Sequence, residues 1–480
     1  MISSVFRTVQ AECNLSPCDV LEIFSTGQRP GQPANKACTN DLHWLWTISF
    51  GQSRWRQCTK GMCRCDVTHR SLKCWRTGLT TLSPDLIVPA DLYTIDLGTN
   101  KLRTLHKTTF KGMRSLTELD MFDNHVEFLP SGIFDSLVNL RILRLQRNYL
   151  EEIDSEAFRY TKKLFHVDLS NNFLYTLPER LFVNNSYLET IDISNNQIIY
   201  MPSFTFVGLK SLLILDLSKN KISQIENGTF VLKSLQILKL SDNKISNITK
   251  NAFESLTSLE TLLLDKNNLE NIPSKLFCNL HCLTFLDLSN NHLITLTGLE
   301  FQNLRQLRNL DLKGNSISDI PDDIFTNCSN LEKLDLSKNK LRFLNISAFH
   351  GLRNLTSLIL SDNQIYEILG QQYVPLVAVT YSGLHAEVSK CKTFKQPLAL
   401  WVRLNEMKIW DYSPTCVSPW YLEGHFLKKL KFPELCSGQW ASMVNLSPRL
   451  PMQQLLSLNV SVNRKPQGSM EQVDDIDDWN

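Results

Sequence analysis

No stretch of this 480-residue chain is both long enough and apolar enough to cross a bilayer. A spanning helix needs about 20 consecutive apolar residues, and runs such as Leu42 to Phe50 fall far short. Excess charge of one sign is also missing: 50 Lys and Arg face 48 Asp and Glu, for a net charge of +2. That balance argues against nucleic acid and against an anionic membrane surface as partners. Glycine and proline are sparse, at 18 each, and no segment is low in complexity. There is no Gly-x-Ser-x-Gly, no His-Glu-x-x-His, no phosphate-binding glycine loop and no Cys–His pair within one motif. The ten histidines are scattered. Neither an enzyme nor a cofactor nor a metal site is expected.

What the chain does have is a period. Asn100, Asn124, Asn148, Asn172, Asn196, Asn220, Asn243, Asn267, Asn291, Asn315, Asn339 and Asn363 follow one another at 24 residues, with a single gap of 23. Such regularity marks a solenoid of stacked short units. Around each Asn, apolar residues stand at minus eight, minus five, minus three and plus two, as in Leu164, Val167, Leu169 and Leu174 around Asn172. Period-two alternation over so few residues predicts one short strand per unit with one buried face. An aromatic precedes the next Asn by 14 residues in nearly every unit, from Phe110 through Phe230 to Phe349, and predicts a ring column on the side away from the strands. The short gap falls where Phe230-Val-Leu-Lys-Ser-Leu235 lacks the glycine of Phe206-Val-Gly-Leu-Lys-Ser-Leu212.

The asparagine has a physical reason. Where a strand bends into a turn, backbone donors and acceptors point inward, and a side-chain amide supplies both partners to its own coil and the adjacent one. The ladder is therefore structural.

These residues resemble the leucine-rich repeat superfamily in its 24-residue extracellular subtype, LxxLxLxxNxL, over about residues 92 to 370. The resemblance implies an α/β-type repeat solenoid, a curved horseshoe with a concave parallel β-sheet and a mostly irregular convex side. Twelve strands at the usual spacing of about 4.8 Å make a sheet roughly 50 Å across, wide enough for a whole protein domain.

Cysteines separate the ends from the middle: Cys58, Cys63, Cys65 and Cys74 precede the repeats, and Cys391, Cys416 and Cys436 follow them. A solenoid exposes its core at both ends, and small covers depend on disulfides, which points to an oxidising, extracellular compartment. The organisation expected is an unassigned segment 1–57, an N-terminal cysteine cap 58–91, about twelve repeats over 92–378, a degenerate C-terminal cap 379–436 and a polar, disordered tail 437–480. Family caps of this type imply Cys58 with Cys65, Cys63 with Cys74, and Cys391 with Cys416. Thr393 stands where a capping cysteine belongs, which leaves Cys436 without its partner. A zinc knuckle with His69 competes with the first cap. The 13 cysteines are odd in number, and the roles of Cys13, Cys18 and Cys38 are unassigned, so an intermolecular bridge, and with it a homodimer, stays open. Cys328 reads as a core hydrophobe; Cys278 and Cys282, four apart, are poorly spaced for a bridge. Sequons at Asn184, Asn227, Asn247, Asn327, Asn345 and Asn354, with Asn14, Asn445 and Asn459 outside the repeats, fit a glycoprotein with its sugars on loops and the convex side, Asn354 alone opening a strand.

Between the two strand leucines one side chain faces outward. The column reads Asp96, Asp120, Arg144, Asp168, Asp192, Asp216, Lys239, Leu263, Asp287, Asp311, Asp335 and Ile359, a stripe suited to a cationic protein ligand. The plainer account is that Leu-Asp-Leu-Ser is common in these repeats, with the Asp solvated or bonded locally. Breaks at Arg144, with Gln146 and Arg147, and at Lys239 with Leu263 are candidates for specificity, and Phe122, His166 and Phe285 for anchors in an adjacent column. The function expected is an extracellular protein-binding module, secreted or the ectodomain of a receptor, of the type seen in Slit, peroxidasin and leucine-rich repeat receptors. The alternative is the recognition arm of a larger matrix protein or enzyme such as a peroxidasin. No secretory signal is visible at the start.

Overall fold

Each turn supplies a strand of only three residues. In most, the middle side chain is buried and the outer two are half-covered, as in Thr94–Asp96 and Ile142–Arg144. The computed structural model describes residues 46–50, 55–58, 62–83, 86–349, 351–365, 367–369 and 380–382. Cys13, Cys18, Cys38, Cys391, Thr393, Cys416 and Cys436, the sequons at Asn14, Asn445 and Asn459, and the tail 437–480 lie outside the described residues, as does all but Thr380–Ser382 of the C-terminal cap.

The chain divides into two compact units, the first running to Leu212 except for Ile199–Ser203, which belong with Leu213 onward to the second. In the first, Arg64–Asp66 pairs antiparallel with Ser71–Lys73, which leads a parallel series through Thr94–Asp96, Glu118–Asp120, Ile142–Arg144, His166–Asp168 and Thr190–Asp192. In the second the series runs Ile214–Asp216, Ile237–Lys239, Thr261–Leu263, Phe285–Asp287, Asn309–Asp311, Lys333–Asp335, Ser357–Ile359 and Thr380–Ser382. Outside this series the second unit adds two short parallel pairs, Gln224–Ile225 with Asn247–Ile248 and Phe343–Asn345 with Glu367–Leu369.

The asparagines are all buried, and each joins two turns. Asn172 Oδ1 accepts from the Leu150 amide of the preceding turn at 3.1 Å, while its Nδ2 donates to Leu145 O of that turn and Leu169 O of its own, both at 3.0 Å. Asn267 repeats this with Ile245, Leu240 and Leu264. Before every ladder asparagine the backbone is left-handed, from Thr99 (φ 52°) and Arg147 (φ 57°) to Gly314 (φ 69°) and Asp362 (φ 55°). That region suits glycine and asparagine and penalises β-branched residues. Thr99 is the one β-branched member of this column. Thr99→Gly is expected to stabilise the first unit by about 1 kcal/mol, read as a higher urea midpoint; an unchanged or lower midpoint contradicts a strained Thr99.

Behind the strands the phenylalanines stack. In the first unit, Phe134, Phe158, Phe182 and Phe206 lie at centroid separations of 6.2, 5.5 and 6.3 Å, within 9° of parallel. The first of the column, Phe110, is met edge-on at 6.0 Å by Trp46, whose indole Nε1 donates to Thr109 O at 2.9 Å. Trp46 is held there because Thr47–Ser49 pairs in parallel with Ile87–Pro89. Part of the unassigned segment 1–57 thus covers the end of the ring column. Next to it, Cys58 is joined to Cys65 and Cys63 to Cys74. The four sulfurs are spent on each other and leave no thiolate for a knuckle with His69, whose Nδ1 sits 2.7 Å from Asp66 Oδ2.

Candidate functional site: the strand face

A three-residue strand sends its first and third side chains to the same face, so each turn offers two outward columns. The third-position column is the acidic one, and its carboxylates have a local task. In all eight, one oxygen accepts the backbone amide two residues on: Asp96 from Gly98 and Asp120 from Phe122 at 2.9 and 3.1 Å, then Asp168, Asp192 and Asp216 from serines at 2.8–3.0 Å. Asp287, Asp311 and Asp335 do the same at 2.9 Å with Ser289, Lys313 and Ser337. The aspartate caps the strand's exit with Oδ1 and leaves Oδ2 for whatever faces the sheet.

The column is not uniformly open. Asp216 and Asp335 are 9% and 8% exposed, covered because the Ser218 and Ser337 hydroxyls also donate to them at 2.6 Å. Two cations among the outward strand residues, Arg144 and Lys239, read from sequence as candidates for specificity, are occupied. Arg144 Nη1 pairs with Glu118, in the first-position column, and lies 3.4 Å from Asp120; Lys239 Nζ lies 2.9 Å from Asp216. Each cation neutralises the carboxylates of the neighbouring strand, which the strand register places beside it.

In the second unit Asp287 and Asp311 therefore stand out. They are register partners on adjacent strands, half-buried, and among the described residues no ion pair reaches them. Burial pushes both carboxyls up from their ordinary range, with neighbouring carboxylates adding to it, and Asp311 reaches about 6. Asp120 is raised as well, again by burial first, against the Phe122 amide and Arg144. Between the unfolded carboxyl value of about 4 and 6, the folded chain holds a proton on Asp311 that the unfolded chain has released. Its contribution to stability is accordingly greatest at low pH and is lost as pH rises through that window. Asp311→Asn keeps an oxygen for the Lys313 amide and removes the charge. It is expected to stabilise the second unit by about 1 kcal/mol at pH 7.4, after allowance for solvent screening, and to change nothing at pH 4. Urea melts at the two pH values test this, and destabilisation at pH 7.4 contradicts it.

The remaining predicted residues are spread more widely. Leu263 fills its column place beside Lys239 and Asp287. Arg147 is exposed at the left-handed turn before Asn148, three residues past its strand. His166 and Phe285 do share the first-position column, and burial lowers the His166 pKa. Phe122 is elsewhere: its ring lies over Gly98, where a Cβ would fall 2.3 Å from Cε1, so that contact requires the glycine. Asn184, Asn227, Asn247, Asn327 and Asn354 are exposed and Asn345 half-buried. Asn354 precedes Ser357–Ile359 by a turn rather than opening it, whereas Asn247 and Asn345 lie on the short strands outside the main series. Cys278 and Cys282 are free, as is Cys328, whose thiol burial pushes up to about 12. Among the described residues no helix is long and apolar enough to cross a membrane.

The Leucine rich repeat profile matches residues 70–126, 138–198, 186–232, 233–293 and 305–365. Among solved structures, a chain of the Drosophila Toll–Spätzle complex is 22% identical, with 72% of this chain and 51% of that one covered and a TM-score of 0.50. A chain of the octameric complex of latrophilin 3, Unc5D and FLRT2 is 24% identical, covering 78% and 99% with a TM-score of 0.52. A chain of the LRIM1/APL1C complex is 22% identical, covering 62% and 52% with a TM-score of 0.53. The chain spans about half the length of the Toll and LRIM1/APL1C structures it matches, and at these identities the likeness is one of fold. No curated protein sequence matches it. With repeat matches over more than half its length and one strand and one buried asparagine per turn, the chain belongs to the leucine-rich repeat family.

Proposed function

We propose that this chain is an extracellular protein-binding module, secreted or part of a receptor ectodomain, that receives a cationic protein ligand on its strand face. The observation that carries the reading is the pair Asp287 and Asp311: two in-register carboxylates, each with one oxygen capping its own strand and with no cation paired to it among the described residues. Burying like charges side by side costs stability, and a cationic partner would recover that cost. The stapled cap at Cys58–Cys65 and Cys63–Cys74 supports an oxidising compartment. Toll with Spätzle, FLRT2 with latrophilin 3 and Unc5D, and LRIM1 with APL1C are seen in complexes, which fits a binding role here.

The test is an array of purified extracellular proteins probed with the full chain, followed by carbodiimide labelling of carboxylates in any complex formed. The reading expects bound proteins with basic surfaces and protection of Asp287 and Asp311. Protection confined to Asp135, Glu156 and Glu254, away from the strand face, would refute it.

A further inference from the structure

On the flank where the strands end, the residue after each ladder asparagine turns to solvent. In most turns it is lysine, glutamine, asparagine, serine or histidine, and only at Tyr149 and Phe173 is it apolar. These two belong to adjacent turns of the first unit, with His125 one turn earlier. Tyr149 and Phe173 are 46% and 45% exposed, yet they are ordered against each other: their rings lie 5.6 Å apart and within 3° of parallel, and His125 meets Tyr149 edge-on at 5.4 Å. Tyr175, 46% exposed, broadens the ridge and donates its hydroxyl to Glu152 at 3.0 Å. A rigid aromatic ridge left in water costs solvation and loses little entropy on binding, the signature of an interface anchor.

The rim of the ridge selects the occupant. Asp123, Glu127, Glu151 and Glu152 lie on the same turns with Arg147 among them, Lys101 and Arg103 stand on the turn before, and Asp168 follows on the strand face. Stacking covers one face each of Tyr149 and Phe173, so the ridge presents mainly ring edges. Edges suit an inserted apolar side chain better than a stacked sugar. An acidic peptide, or a second copy carrying the same carboxylates, meets like charge.

We propose that His125, Tyr149 and Phe173 anchor a segment of a partner protein in which an apolar or aromatic side chain is flanked by arginine or lysine. The inference rests on the proposed recognition of cationic proteins and adds to it where the partner's apolar contact is made.

Three twelve-residue peptides titrated against the immobilised full chain test it: one carrying two phenylalanines among four arginines, one with those phenylalanines replaced by serine, and one with the arginines replaced by glutamate. The arginine–phenylalanine peptide is expected to bind about tenfold tighter than the arginine–serine peptide. That advantage should vanish in Tyr149→Ser/Phe173→Ser, at unchanged thermal melting, and return in Tyr149→Trp. Equal binding of the two arginine peptides overturns the ridge and leaves strand-face recognition standing; binding of neither overturns both. Equally tight binding of the glutamate peptide overturns the cationic partner. A dimer in sedimentation that is lost in the double serine variant overturns it in favour of self-association.

Discussion

Asn172→Leu is expected to destabilise the first unit by about 4 kcal/mol, more than any surface substitution. The side chain is 3% exposed; it is the acceptor for the Leu150 amide, and it shares Leu145 O with Asn148 and Leu169 O with Asn196. An orphaned buried amide costs about 1–3 kcal/mol and each carbonyl that loses one of its two donors adds about 1 kcal/mol, and the apolar volume gained by leucine offsets only part of that. The loss should be local at first, because each turn touches only its neighbours, so amide exchange ought to accelerate over about residues 145–175 before the whole unit melts. Asn268→Ala, one residue beyond the ladder and exposed, should change the stability read from a urea melt by less than about 0.5 kcal/mol. Comparable midpoints for the two variants would mean the ladder does not carry the turn-to-turn connection.

Phe158→Ala is expected to cost about 3–5 kcal/mol. The ring is fully buried and touches Phe134 at 6.2 Å on one side and Phe182 at 5.5 Å on the other. Its removal opens a cavity between turns that backbone bonds hold at a fixed spacing, so the neighbours cannot collapse into it. Phe158→Leu refills most of the volume and should recover more than half of the loss. Calorimetry of the two variants checks this; a Phe158→Ala protein that melts with the wild type would show that the ring column fills space without holding the turns.

The period was legible because stacking demands it. Every turn must supply the same partner to the next, so asparagine and phenylalanine recur at one step whatever the ligand. The register of the outward column was legible for the same reason. What each member does was not. The alternation that predicts Asp311 on the face says nothing about its Oδ1 bonding the Lys313 amide, because a carboxylate has two oxygens that can serve different tasks. Arg144 read as a break in the acidic column and a candidate for specificity, and its partner Glu118 stands in the other column and 26 residues earlier. Arg147 stands three residues past the last strand residue, where the chain has already turned left-handed. A signal for that turn was present: aspartate, asparagine, glycine and lysine dominate the position before each ladder asparagine. Trp46 gave none, since its contact with Phe110 spans 64 residues and depends on a three-residue strand.

The surface left after these assignments is small and specific. Lys239 and Arg144 already answer the carboxylates beside them, Asp216 and Asp335 are nearly covered, and the charge still unmatched on the strand face of the second unit centres on Asp287 and Asp311. Asp311 titrates at about 6, so a ligand held there should dissociate more readily as pH falls from 7.4 to 5.5.

The most direct measurement is the affinity of the full chain and of Asp287→Asn/Asp311→Asn for a captured basic protein, at about 50 and 300 mM salt. The asparagines keep the strand-capping bonds and remove only the charge. Strand-face recognition predicts about a tenfold loss of affinity in the variant, roughly 1.4 kcal/mol, and a flatter salt dependence. The same affinity and the same salt slope as the wild type would contradict it.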